Sequence, residues 1–191
     1  MDSIETIYRN IKDLYNRQSD LYLGKWNRLL PFGEMMIDRW EKAKKLGFAD
    51  GVSIYDNSYV YGNVKVGKNT WIGPLTILDG SGGELTIGDY CSISAGVQIY
   101  THDSVKWALN GGIDGYKKAS THIGSNCYIG PSSIIQADIT VGNHCVIGAL
   151  SLVNKDLPDF SIAWGQPAKI VGKVAINNKG EIEFKYNKKR Y

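Results

Sequence analysis

Along the first 47 residues the apolar positions follow a helical period. Ser3 can cap a helix carrying Ile4, Ile7, Ile11 and Leu14 on one stripe. Leu30-Pro31-Phe32-Gly33 interrupts the pattern, and a second helix is expected from about Glu34 to Lys45. Its apolar residues are Met35, Ile37, Trp40 and Ala43, and Gly47 stops it just beyond Lys44 and Lys45. These apolar side chains read as packing surface.

From about Val52 to Val153 the period changes to six. An aliphatic residue recurs at Ile54, Val60, Val66, Ile72 and Leu78, then at Ile87, Ile93 and Ile99, then at Ile123, Ile129, Ile135, Val141, Ile147 and Val153. Gly often follows it, as at Gly67, Gly73, Gly88, Gly124, Gly130, Gly142 and Gly148. A period of six is neither helical nor a simple alternation; it describes short strands joined by turns. Stacked coil over coil, such strands satisfy each other's backbone groups. The aliphatic residue and the small residue two positions earlier then both point inward. The glycine is expected to serve a tight corner. One coil cannot bury a core, which accounts for the many repeats.

The segment Ile123-Gly124-Ser125-Asn126-Cys127-Tyr128 and its neighbours resemble the hexapeptide-repeat acyltransferases. The resemblance covers about residues 50 to 172 and implies an all-β solenoid, a left-handed parallel β-helix with three strands per coil, assembled as a homotrimer. Val153-Asn154-Lys155-Asp156-Leu157-Pro158 and Gly165-Gln166-Pro167-Ala168-Lys169-Ile170-Val171-Gly172 look like the end of the sugar acetyltransferase branch. The expected organisation is a helical segment over 1–47, the β-helix over 48–172 and a tail over 173–191. In that tail, Val174-Ala175-Ile176 and Ile182-Glu183-Phe184 flank a turn, Asn177-Asn178-Lys179-Gly180, so a hairpin is expected there, followed by a basic end.

Breaks in the repeat mark loops, where chemistry concentrates. Leu78 to Ile87 is too long by three residues, so a bulge is expected over 79–84. Residues 101–120 lose the pattern and read as an extruded loop opened by Tyr100-Thr101-His102-Asp103. The resemblance makes His102 a general base that takes a proton from a sugar hydroxyl attacking acetyl-CoA. Imidazole suits the task because its ordinary pKa, about 6.5, lets it accept and return a proton near neutrality. Asp79 and Glu84 flank the bulge and could anchor an acceptor or orient the base. Asp79 is taken as catalytic, and Glu84, Asp103, Trp107 and Tyr116 as acceptor-binding. The segment Leu78-Asp79-Gly80-Ser81-Gly82-Gly83 looks like enzymes acting on nucleotide-linked amino sugars, where an amine needs placement more than deprotonation. N-acetylation of such a dTDP- or UDP-linked sugar is the preferred reading and O-acetylation of a saccharide hydroxyl the alternative.

The resemblance carries the acetyl-CoA site to Pro131, Ala149, Asn154, Lys155 and Lys169. Four positions depart from the family pattern: Pro131 stands for Ser or Gly, Asn154 for Thr, Trp164 for Ala and Lys169 for Arg. The last loses a bidentate fork. His122 and His144 read as surface residues. Cys91, Cys127 and Cys145 fall in the small inward slot and read as inert packing thiols.

Composition narrows the rest. The chain has 22 Lys plus Arg against 19 Asp plus Glu, a net charge of +3 that is mild for a dedicated nucleic-acid binder. Three cysteines argue against a disulfide scaffold. The N-terminal residues lack the basic and apolar regions of a signal peptide, and no apolar run is long enough to span a bilayer, so a cytoplasmic location is expected. Zinc carbonic anhydrases share the fold, but His102, His122 and His144 lack the spacing of a ligand cluster, so no metal is expected. A non-catalytic assembly module remains a third possibility.

Overall fold

The computed structural model describes residues 3–187 and shows a parallel β-solenoid of about six coils with helices at its N-terminal end. The hexapeptide period is that of a left-handed β-helix. The first face stacks Ser53–Ile54, Trp71–Ile72, Ser92–Ile93, Tyr128–Ile129 and Val146–Ile147 in parallel, ending on Ser161–Gly165. The second face stacks 59–60, 77–78, Gln98–Ile99, Ile134–Ile135 and Leu152–Val153. The third stacks 64–66, 85–87, Thr121–Ile123 and Thr140–Val141, with Leu157 bridging to Val141.

The core follows the period. Ile54, Ile72, Leu78, Ile93, Ile99, Ile129, Ile135 and Ile147 are fully buried, and so are Thr70, Thr121 and Ser133 in the slot two positions before an aliphatic residue. Small polar side chains are tolerated there where they find a carbonyl, as when Thr70 Oγ1 donates to Gly88 O (2.9 Å), Ser133 Oγ to Gly148 O (2.9 Å) and Cys127 Sγ to Gly142 O (3.1 Å); buried Thr76 Oγ1 has no partner among the described residues. Cys91, Cys127 and Cys145 line one corner, buried and free. The Cys127 thiol is held far above the usual thiol range, by hydrogen bonding with Cys145 and Cys91 and by burial.

The glycines serve a different purpose from the one expected. The corner residues with positive φ come two positions later, at Asn69, Leu75, Tyr90, Asn126, Ser132, His144 and Leu150. The glycine itself is required because coils approach closely: a Cβ on Gly124 would lie 2.7 Å from Asn143 N. His144 stacks on Phe160 of the next coil at 4.9 Å, and His122 shares a hydrogen bond with Thr86 (2.8 Å).

The helical segment differs from expectation in two ways. Helix α1 (Ile4–Trp26) is capped by Ser3, whose Oγ accepts from Thr6 N. The single helix expected over 34–45 is instead α2 (Phe32–Met36) and α3 (Arg39–Lys45). Asp38 breaks it by accepting from Trp40 N and Glu41 N, which starts a new helix at Arg39. Of the apolar residues read as packing surface, Met35 and Ala43 are buried, but Ile37 and Trp40 are 39% and 53% accessible in the single chain. The end of the solenoid also differs. Residues 168–172, expected inside the β-helix, begin an antiparallel strand, Ala168–Ile176, which folds back on Ser161–Gly165 and pairs with Ile182–Tyr186. That last pairing is the expected hairpin. The final basic residues, 188–191, lie outside the described chain.

Candidate active site

The corner between the second and third faces is where the coils depart from regularity. The expected bulge over 79–84 does not interrupt its strand. Ile77–Ile87 runs through the corner as one strand and pairs with Tyr59–Val66 above it, shifting register between Gly62 and Val64. The three extra residues lie on this strand alone, since Gly62 faces Gly80 and Val64 faces Leu85, and they form the expected bulge opposite Asn63. On the next coil, His102–Asp103 pairs antiparallel with Lys117–Lys118, closing the neck of the expected loop. Between them lies a short helix, α4 (Val105–Leu109).

Thr101, fully buried, fixes the neck. Its Oγ1 donates to Asp79 O (2.8 Å) and accepts from Gly82 N (3.0 Å). This brings the next residue, His102, over Asp79: Nδ1 lies 3.5 Å from Asp79 Oδ2 and 3.4 Å from Ser81 Oγ. Asp79 is only 7% exposed, and its other oxygen accepts from Ser81 N (2.9 Å) and Ser81 Oγ (2.5 Å). One carboxylate therefore holds an Asx-type turn and faces the imidazole. With Nδ1 engaged, Nε2 is the ring nitrogen available for chemistry.

An aromatic wall continues from the imidazole. His102 stacks on Tyr116 at 6.0 Å and 17°, and Tyr116 meets Trp107 edge-on at 5.7 Å. A cleft of about 250 Å³ opens here, lined by Tyr100, His102, Asp103, Lys117, Ile134 and Gln136 among others. The Tyr100 phenol donates to Gln98 Oε1 (2.7 Å), and burial, with the Asp79 charge, raises its pKa above the usual tyrosine value. Lys117 pairs with Asp138 of the following coil (3.4 Å).

The expected site residues separate into groups. His102, Asp79, Asp103, Trp107 and Tyr116 come together, although Asp103 Oδ1 also accepts from Val105 N (3.1 Å) at the start of α4. Glu84 does not join them. Its carboxylate is bound by Lys65 and Asn63 on the third-face side, and the Lys65 hydrogen bond holds its pKa below the usual range. Pro131 and Ala149 stack on the first-to-second corner, where Leu150 N donates to Pro131 O (2.9 Å). Asn154 and Lys155 follow the second-face strand Leu152–Val153 and so share the His102 corner; Lys169 pairs with Trp164 after the chain reverses. Lys155 and Lys169 are exposed and make no ion pair among the described residues. Ser81, Tyr100 and Gln136 were missed. For Ser81 a signal existed, since Asp-Gly-Ser is a turn in which the acid binds the backbone two residues on. No group of three or more His, Cys, Asp or Glu that could hold a metal occurs among the described residues.

Comparison with known proteins places this geometry in context. Residues 120–155 match the family model for the bacterial transferase hexapeptide (six repeats). A Staphylococcus aureus (strain Mu50) protein, named only provisionally as an acetyltransferase, is 39% identical over 132 residues, 65% of this chain and 63% of its own. The chain thus spans less than two thirds of that relative's length. Among solved structures, a maltose O-acetyltransferase from Clostridium difficile 630 is 27% identical, with TM-score 0.54, over 87% of this chain and 88% of its own. AntD, an N-acyltransferase from Bacillus cereus solved with dTDP and 3-hydroxybutyryl-CoA, is 25% identical, with TM-score 0.55, over 72% of this chain and 90% of its own.

Proposed function

We propose that this chain is an acetyltransferase that moves an acetyl group from acetyl-CoA to a sugar. The observation that carries the reading is the imidazole of His102 held by Asp79 and Ser81 at the corner where the repeat is broken. His102 Nε2 accepts the proton of the acceptor hydroxyl as its oxygen attacks the thioester carbonyl. The tetrahedral intermediate collapses with cleavage of the C–S bond, and the departing thiolate takes the proton back from the imidazolium. Asp79 acts as a positioning residue, holding the ring and stabilising its charged form.

This arrangement favours a hydroxyl acceptor over the amino sugar preferred from sequence. An alcohol needs a base, whereas the Asp79 carboxylate, buried and committed to Ser81 and His102, has little left to hold an ammonium group. Likeness to the maltose O-acetyltransferase supports the same reading. N-acetylation of a dTDP-linked amino sugar is kept as the second reading because of the likeness to AntD, whose complex contains dTDP. Lys155 and Lys169 would meet the phosphates of CoA, with Pro131 and Ala149 along its pantetheine arm. The family resemblance implies a homotrimer, and the reading puts the complete site at the contact between its copies, in the cytoplasm; the division of these residues between two corners is consistent with that.

The experiment is thiol release from acetyl-CoA across free sugars, nucleotide-linked sugars and their 3- and 4-amino counterparts. Turnover with hydroxyl acceptors that vanishes in His102→Ala supports the first reading. Turnover confined to amino sugar nucleotides establishes the second, and release with neither class overturns both.

A further inference from the structure

The two ends of the eight-stranded sheet differ. At one end, helix α3 lies against the first strand, Ser53–Ile54. At the other, the sheet ends on Ile182–Tyr186, which pairs with Ala168–Ile176 on one side and with no strand on the other among the described residues. An uncovered strand edge is a template for pairing with another chain.

The backbone of this edge points outward at alternate residues. Asn177 N donates to Glu181 O (3.0 Å) and Asn187 N to Val171 O (2.7 Å), on either side of Ile182–Tyr186. Hydrogen-bonded positions alternate in an antiparallel ladder, so Glu183 and Lys185 also turn inward. The N–H and C=O groups of Ile182, Phe184 and Tyr186 therefore face away from the sheet. Their side chains are open too, at 63%, 55% and 57% exposure. Between them, Glu183 and Lys185 pair with each other at 3.5 Å. Across the inner strand pair, however, Lys185 lies beside Lys173 and Glu183 beside Ala175, so the acid has no cross-strand cation and the base has a like-charge neighbour.

We infer that this edge is an interface with a second copy of the chain, in which two Ile182–Tyr186 strands pair antiparallel about a two-fold axis at Phe184. The sequence Ile-Glu-Phe-Lys-Tyr is self-complementary in that register. Ile182 faces Tyr186 of the second copy, Phe184 faces Phe184, and Glu183 faces Lys185. The outward backbone groups of residues 182, 184 and 186 satisfy one another, and each Lys185 gains an acid on the side away from Lys173. Sliding the strands by two residues puts Glu183 against Glu183 or Lys185 against Lys185, so charge selects the register. Two solenoids then join end to end through one continuous sheet, and this contact doubles whatever assembly the coils themselves form.

The test is the mass of the full chain in solution. Sedimentation equilibrium should give an even number of 21.2 kDa chains. Phe184→Pro removes an outward N–H and spares the inner ladder, and should halve that number. Glu183→Lys and Lys185→Glu should each do the same, and the double charge swap should restore the parent assembly. Phe184→Cys should oxidise to a disulfide-linked pair, because only a residue on the axis meets its own copy, whereas Ile182→Cys should stay unlinked. Circular dichroism of each variant shows that the β-helix is folded. An odd number of chains in the parent overturns the proposal. So does an even assembly that Phe184→Pro and both charge reversals leave intact, or a charge swap that fails to restore it.

Discussion

Asp79 and His102 come from successive coils and meet with Oδ2 and Nδ1 3.5 Å apart, because the intervening Thr101 is pinned to the Asp79 carbonyl. If this pair is the base and its positioning residue, the two should fail differently. His102→Ala should lower kcat about 10²- to 10⁴-fold. Asp79→Asn keeps the shape but loses the charge, and should lower kcat about tenfold or more with KM little changed. Steady-state kinetics on the responsive acceptor checks both.

Glu84 offers a control within the same strand. Its carboxylate faces Lys65 and Asn63, away from the imidazole. Glu84→Gln should therefore leave kcat/KM within about twofold of the parent, since an exposed pair of this kind contributes little. A large loss in the same assay would return Glu84 to the acceptor site.

Gly82 holds the neck of the loop tightly against the strand. A Cβ there would lie 2.6 Å from His102 Cβ, besides pressing on the Thr101 carbonyl. Gly82→Ala should thus displace the imidazole and cost about tenfold or more in kcat, since small misplacements of a catalytic group are expensive. Circular dichroism should remain that of a folded β-helix, and the His102 ring resonances in NMR should shift.

The cysteine corner predicts a pH effect on stability. Cys127 keeps its proton in the fold well beyond the range where the unfolded thiol, at about 8.5, loses it. The folded chain then binds more protons, so this contribution is complete below pH 8 and declines as pH rises. Denaturant unfolding should show stability falling from pH 8 to pH 10 through this group, offset in part by Cys91 and Cys145, whose pKa values are lowered by their hydrogen bonds with Cys127, and the profile should change in Cys127→Ala. A thiol reagent should react with none of the three buried cysteines until the chain unfolds.

Lys42 ties the helical cap to the first coil through three carbonyls, and burial lowers its pKa below 10.5 despite Asp56 and Glu34 nearby. Lys42→Met should cost about 1–3 kcal/mol in denaturant unfolding at pH 7, because the carbonyls lose a charged donor. The parent's own stability should rise as pH climbs from the lowered value toward 10.5, since in that window the unfolded chain binds the extra proton.

Much of the solenoid is legible because it is a local code repeated many times. Ile93, Ile129 and Ile147 are buried and stacked because each begins from the same six-residue pattern. Departures arose where one residue served two neighbours. Asp38 looked like an interior helical position, yet its carboxylate captures the Trp40 and Glu41 amides and starts a helix of its own. Gly124 looked like a turn residue, yet it is small because another coil lies against it.

The period of six and the order of aliphatic, small and glycine positions suffice for the inward residues and the corner where the repeat fails, since both are set by neighbours along the chain, while the three faces came from the family resemblance. They do not say that Asp79 faces His102 while Glu84 turns to Lys65, nor that the Glu34 carboxylate accepts from the Asn57 amide. Those outcomes depend on which coil lies over which and where a three-residue insertion bulges against the neighbouring strand. Such contacts join residues distant in sequence, and only the packed chain brings them within hydrogen-bonding range.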